Sequence, residues 1–176
     1  MARKIDERIS FTPARIAVMT VSDTRDPDTD KSGKALIKLL EDAGHITADY
    51  AIIKDERTDI ATQLNAWVAD ESVQIVLTTG GTGITGRDVT PEAVRDVIEV
   101  EIPGFGELFR MLSYNIIGTS TIQSRALAGR AKSTLIFALP GSPGACKDAW
   151  NLILSEQLDN RFRPCNFIDL LPRFSE

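Results

Sequence analysis

Apolar positions along this chain switch repeatedly between the spacing of strands and the spacing of helices. Residues 15–21, RIAVMTV, form an apolar run of strand length, followed by the polar stretch SDTRDPDTDKSG. Leu36, Ile37, Leu40 and Ala43 then recur at helical spacing up to Gly44, a residue type that commonly closes helices. A second strand is predicted over 48–53, ADYAII. Ile60, Leu64, Trp67 and Val68 repeat at i, i+4, i+7 and i+8, the stripe of an amphipathic helix. QIVLTT at 74–79 is the clearest strand and runs directly into GGTG. Thr90-Pro91 pairs a preferred N-cap residue with a proline at the first helical position, and Val94, Val97 and Ile98 give that helix an apolar face. Phe105, Leu108, Phe109 and Leu112 predict a helix over 104–114 with all four on one stripe. STLIFAL at 133–139 reads as a fourth strand, and Ser142-Pro143 repeats the cap signature ahead of a helix to about residue 158. Segment 115–130 fits neither period, and the proline-bearing RFRPCNFIDLLPRF of the tail reads as irregular.

Strands alternating with helices imply crossover connections, hence an α/β fold whose mostly parallel sheet is covered on both faces. The chain divides into an arm (1–14), a central domain (15–158) and a tail (159–176) packed on the domain or on a neighbour. In such folds ligands bind outside the carboxyl ends of the strands. The places to look are therefore Ser22-Asp23, Lys54-Asp55, Gly80 to Asp88 and Pro140 to Gly144.

Composition narrows the classes. The 176 residues, 43% hydrophobic and 26% charged, suit one ordinary globular domain of roughly 100–200 residues. The net charge of −5, without a basic run, speaks against a nucleic-acid partner, and any anionic substrate must be held by local features. The N-terminal MARKIDERISF lacks the apolar stretch of a signal peptide. No run reaches the roughly 20 apolar residues of a membrane span, so a cytoplasmic protein is expected. Cys146 and Cys165 sit in no metal spacing, and Cys146 has helical spacing to Trp150 and Ile153, which predicts core packing. His45, the single histidine, follows Gly44 and is expected on a surface turn. One histidine without a cysteine cluster argues against zinc and against a Ser-His-Asp triad.

The richest local chemistry is TTGGTGITGRDVTPEA at 78–93. Glycines directly after a strand let backbone approach a ligand and aim N–H groups at an anion; a tight turn without a ligand would use the same residues. Gly81, Gly83 and Gly86 also spell G-x-G-x-x-G, but the helix signal waits until Pro91, unlike a dinucleotide site, and no Lys-Ser/Thr follows as in a Walker loop. Asp88 beside an anion loop would repel phosphate unless a cation lay between them. Magnesium commonly binds through one or two carboxylates plus substrate phosphates, so Asp88 reads either as a metal ligand or as an acid favouring the next helix N-terminus. Asp55 is a possible second acid or part of a charged surface turn. PGSPG at 140–144 ends a strand and opens a helix, and is either a second anion loop or a capped turn. Arg125 could offer a planar fork to phosphate or lie on the surface.

Together, VSD (21–23), Asp30-x-Ser32-Gly33, TTGGTG…RDVTPEA (78–93), PGFGE (103–107), QSRA (123–126) and LPGSP (139–143) resemble the MoaB/Mog molybdopterin-binding family over about residues 15–158. RPCNF and GTSTIQSRA are more similar to the MoaB branch. The resemblance implies a three-layer α/β/α sandwich and adenylyl transfer, in which molybdopterin phosphate attacks the α-phosphorus of magnesium ATP and pyrophosphate leaves. By motif match, Gly80, Gly81, Thr82 and Gly83 would hold nucleotide phosphates, joined by Gly141 and Ser142. Asp55 and Asp88 would be the catalytic, magnesium-binding acids, and Asp30, Ser32 and Ser124 would contact molybdopterin. Some MoaB-branch members lack the two acids and are thought inactive; this chain has both. The resemblance also implies trimers or hexamers, with Phe11 and Phe167 of the arm and tail available to cover a neighbour.

Other readings compete. A non-catalytic molybdopterin-binding protein would share every loop. A nucleotide pyrophosphatase or hydrolase would be similar to the competence-damage family, which usually carries a further domain and a different first-strand motif. A GTP-binding module would need an NKxD-like motif, and none is present.

Overall fold

The computed structural model describes residues 5–174; the first four residues of the predicted arm and the last two of the tail lie outside them. Six strands form one mixed sheet in the order β2-β1-β3-β6-β5-β4. Strands β1 (Arg15–Val21), β2 (Ile46–Ile53), β3 (Ile75–Thr79) and β6 (Thr134–Leu139) run parallel, while β5 (Leu127–Ala131) is antiparallel to both β6 and the two-residue β4 (Val100–Glu101).

Alternation along the strands builds two cores. Ile16 and Val18 of β1, Ile75 and Leu77 of β3, and Leu135, Phe137 and Leu139 of β6 point to one face. They meet Leu36 and Leu40 of α1 (Lys31–Asp42), Phe105 and Phe109 of α4 (Pro103–Ile117) and Cys146 of α5 (Pro143–Ala149). Ala17, Met19, Val76, Ile136 and Ala138 point to the other face, against Ile60, Leu64 and Trp67 of α2 (Arg57–Ala69) and Val94 of α3 (Thr90–Arg95). Because successive side chains leave a strand on opposite faces, the continuously apolar strands require helices on both sides, and the α/β/α sandwich with a mostly parallel sheet is observed.

Several expectations change in detail. Segment 115–130, which fitted neither period, is the end of α4, a 3-10 turn (Gly118–Gln123) and β5. Leu108, expected on the buried stripe of α4, is 38% exposed, while Phe105 and Phe109 are buried in the core and Leu112 packs against it. His45 is not a surface residue. The arm folds over the helix end, so that Phe11 and Trp150 flank the imidazole and the Ala14 N–H donates to Nδ1 at 3.1 Å. Periodicity located the helix end but carried no sign of the long-range cover. Phe11 and Phe167 are likewise spent within the chain, on His45 and on Phe137. Asn160 ties the tail to the arm, accepting from Thr12 N–H at 2.8 Å and donating to the Ser10 carbonyl at 2.9 Å.

Candidate functional site

At the carboxyl ends of β3 and β6 lies a cleft of about 580 Å³. Its floor is made by two loops, Gly81 to Gly83 and Pro140 to Ser142, and one wall by Phe109, Ser113, Ile116 and Ile117 of α4. The loops meet because no side chain separates them. A β-carbon on Gly141 would fall 3.1 Å from the Gly80 Cα, and one on Gly80 (φ +109°) would fall 2.2 Å from the Val21 carbonyl oxygen. Thr79 Oγ1 donates to the Pro140 carbonyl at 2.9 Å and Thr90 Oγ1 donates to the Gly80 carbonyl at 2.8 Å, fixing the loop roots to each other and to α3.

The structure gathers most of the predicted residues and sets others aside. Gly81, Thr82, Gly83, Asp88, Ser124, Gly141 and Ser142 all line the cleft. Gly80 lies beneath, buried. Asp30 and Ser32 act from behind. Asp30 caps α1 and is 1% exposed, its carboxylate accepting from Gly33 N–H, the Thr20 hydroxyl and the Tyr50 hydroxyl. Burial alone would raise its pKa, and these hydrogen bonds, with the Ser32 amide, outweigh burial and hold it below the usual range. The Ser32 hydroxyl donates to the Gly141 carbonyl at 2.9 Å and so braces the second loop. Ser142 caps α5 by accepting from the Ala145 N–H at 3.1 Å.

The two acids flank the glycine turn in unlike surroundings. Asp55, half-buried at the end of β2, sits against Gly81: a β-carbon there would lie 2.9 Å from its Oδ1 and 2.4 Å from Thr90 Oγ1. Burial, then the charges of Asp23 and Asp88, raise its pKa, while Arg87 opposes them. Asp88 is lowered instead: burial would raise it, but Thr85 donates to Oδ2 through its N–H at 2.8 Å and its hydroxyl at 2.6 Å, and the Gly83 N–H and Arg125 add to the effect. Its carboxylate, engaged by Thr85, closes the glycine loop on itself. Arg87 pairs outward with Asp23 and Glu56, each at 2.8 Å. The described residues hold no group of three or more His, Cys, Asp or Glu placed to chelate a metal unaided. Asp55 and Asp88, beside the glycine turn, are the residues that could hold a divalent cation, since magnesium commonly binds through one or two carboxylates.

Sequence reasoning missed the α4 wall of the cleft, Asp148 and Gln123, which also line it, and Thr90, which locks the loop root. Asp148 and Gln123 lay in a predicted helix and in the unassigned segment, and only the fold brings them to the strand ends.

A family profile described as "Probable molybdopterin binding domain" matches residues 17–160. The chain is 54% identical over 157 residues to Molybdenum cofactor biosynthesis protein B of Escherichia coli (strain K12), covering 89% of this chain and 92% of that one. It is 50% identical over 145 residues to the protein of that name in Bacillus subtilis (strain 168), covering 82% and 85%. A crystal structure of a Molybdenum cofactor biosynthesis protein B superimposes with a TM-score of 0.81 at 47% identity, covering 84% of this chain and 92% of that one.

Proposed function

From the premise that this chain belongs to the molybdopterin-binding family of molybdenum cofactor biosynthesis protein B, we propose that it transfers the adenylyl group of ATP to the phosphate of molybdopterin. A phosphate oxygen of molybdopterin bonds to the α-phosphorus of ATP, the bond to the β-phosphate breaks, and pyrophosphate leaves. The observation that carries this reading is the pair of acids against the glycine turn, Asp55 beside Gly81 and Asp88 beside Gly83, of which Asp88 lines the cleft. Phosphoryl chemistry asks chiefly for positioning and charge stabilisation, and the site has parts for both. In this reading the amides of Gly81 and Thr82 would take a nucleotide phosphate, and the α4 wall would give an apolar surface to a flat ring. Magnesium bound with ATP would screen the phosphates and polarise the attacked phosphorus. Asp55 and Asp88 would hold it; the pKa of Asp55 is raised first by burial and then by the neighbouring charge of Asp23, and a cation would offset both.

One observation favours a non-catalytic molybdopterin-binding protein: the Asp88 carboxylate is engaged by Thr85 and serves the loop. The two readings part on one measurement. With molybdopterin, ATP and magnesium, the protein should release pyrophosphate in proportion to molybdopterin adenylylated. Molybdopterin binding without pyrophosphate release would establish the binding protein.

A further inference from the structure

Between Gly80 and Thr90 the glycine loop has no regular structure of its own, yet three of its carbonyls are held by one residue. The Arg125 N–H donates to the Thr82 carbonyl at 2.9 Å, its Nε donates to the Gly83 carbonyl at 2.6 Å, and its Nη2 donates to the Asp88 carbonyl. The remaining arm, Nη1, pairs with Glu92 of α3, whose second carboxylate oxygen is buried without a partner. Arg125 stands on the segment joining the 3-10 turn to β5, far along the chain from the loop. Its guanidinium is not part of the cleft surface, whereas its neighbour Ser124 is. It lines a neighbouring pocket with Arg95, Glu101 and Arg110 instead, its arms taken up by the loop carbonyls and Glu92.

The clamp decides which way the loop faces. A trans peptide points its N–H opposite to its carbonyl. Carbonyls of Thr82 and Gly83 turned toward Arg125 send the amides of Gly83 and Ile84 to the opposite side, and the Gly83 N–H meets the Asp88 carboxylate. The planar, five-donor guanidinium can satisfy several acceptors at once, which a lysine ammonium at the end of a flexible stem does less well.

We infer that Arg125 is a positioning residue: anchored by Glu92, it holds the glycine loop and Asp88 in the orientation that adenylyl transfer uses, without touching the substrates. The effect on turnover rests on the proposed reaction; the effect on the loop itself does not. The test uses the full chain with Arg125→Ala and Arg125→Lys, reading amide hydrogen exchange at Gly83 and Thr85 alongside pyrophosphate release from magnesium ATP and molybdopterin. Arg125→Ala keeps the main-chain bond to Thr82 but loses the side-chain bonds to the Gly83 and Asp88 carbonyls, and should speed exchange at these amides roughly ten- to a hundredfold, as expected for losing hydrogen bonds to a charged group, with the amides of β3 and β6 unchanged. Turnover should fall with it, recover in part when free guanidinium is added, and be intermediate in Arg125→Lys. Wild-type exchange at Gly83 and Thr85 in a folded Arg125→Ala would overturn the clamp, as would a loss of turnover that guanidinium does not relieve. If Arg125→Ala fails to fold, Glu92→Gln decides: it leaves Arg125 in place but weakens its anchor, so loop exchange should still quicken severalfold, and an unchanged rate rejects the inference. Faster loop exchange in a protein whose wild type releases no pyrophosphate would sink the adenylyl transfer and leave the clamp standing.

Discussion

Asp55 and Asp88 are the same residue type a few ångströms from one glycine turn, and the fold treats them oppositely. Burial beside Asp23 raises the first, while donors from Thr85 and Gly83 lower the second. The lowered acid stays charged through the neutral range and is the steadier cation holder; the raised one gains most from a cation. Asp88→Asn keeps the size and an acceptor for Thr85 but loses the charge. The fold should survive, with a stability cost of about 1 kcal/mol, and pyrophosphate release should fall by roughly 10²–10³. Melting temperature and turnover measured on the same mutant separate the roles. Near-normal turnover at saturating magnesium would confine Asp88 to bracing its loop.

At the scale of elements, the arm, the end of α1 and the tail form one buried junction around His45. Burial pushes the imidazole down to about 4, with the nearby Asp159 carboxylate pulling weakly the other way. In the folded state Nδ1 accepts a hydrogen bond from Ala14, so the neutral form is the one that fits. A folded-state pKa below the unfolded value of about 6.5 means that the unfolded chain binds the proton first. This group's contribution is therefore complete above about pH 6.5 and is lost as pH falls toward about 4. At most about 3 kcal/mol is involved, from 1.36 kcal/mol per unit. Melting temperature followed from pH 7 to pH 4 should fall, and His45→Gln, which cannot titrate, should flatten that slope; an unchanged slope would place the pH dependence elsewhere.

For the whole molecule, the unsatisfied feature is an apolar face. Met111, Tyr114 and Ile122, from α4 and the 3-10 turn, are all more than half exposed and lie outside the cleft lining, whereas Phe11 and Phe167 each pack a ring inside the chain. Exposed large apolar side chains gathered on one helix and the turn after it can mark an interaction site, and closed symmetric assemblies are the usual solution. The family resemblance implies three or six copies, so light scattering should give a particle of three or six times the 19.3 kDa chain, and Met111→Glu should shift it toward smaller species. A single-chain mass at micromolar concentration would exclude the assembly.

Much of this was legible in the residues themselves. Strand and helix order followed from period, because a buried strand and a half-buried helix demand different spacings of apolar side chains. The glycine loop, both acids and the PGSPG turn were visible because positive φ, close backbone approach and capping each require particular residue types in consecutive positions. Those are local demands. What depended on chain folding back on itself could not be read. β5 hid in segment 115–130 because its pairing partner β6, not its own pattern, makes it a strand. His45 and Leu108 exchanged their expected surroundings because cover comes from distant segments. Asp30 carries a motif residue's identity, but only the positions of Thr20 and Tyr50 show its oxygens to be spoken for. Arg125 stood in a polar stretch like any surface arginine, and the carbonyls that give it a role lie about forty positions earlier in the chain. Local composition determined which groups could meet an anion; tertiary packing decided which of them face the cleft and which hold the others in place.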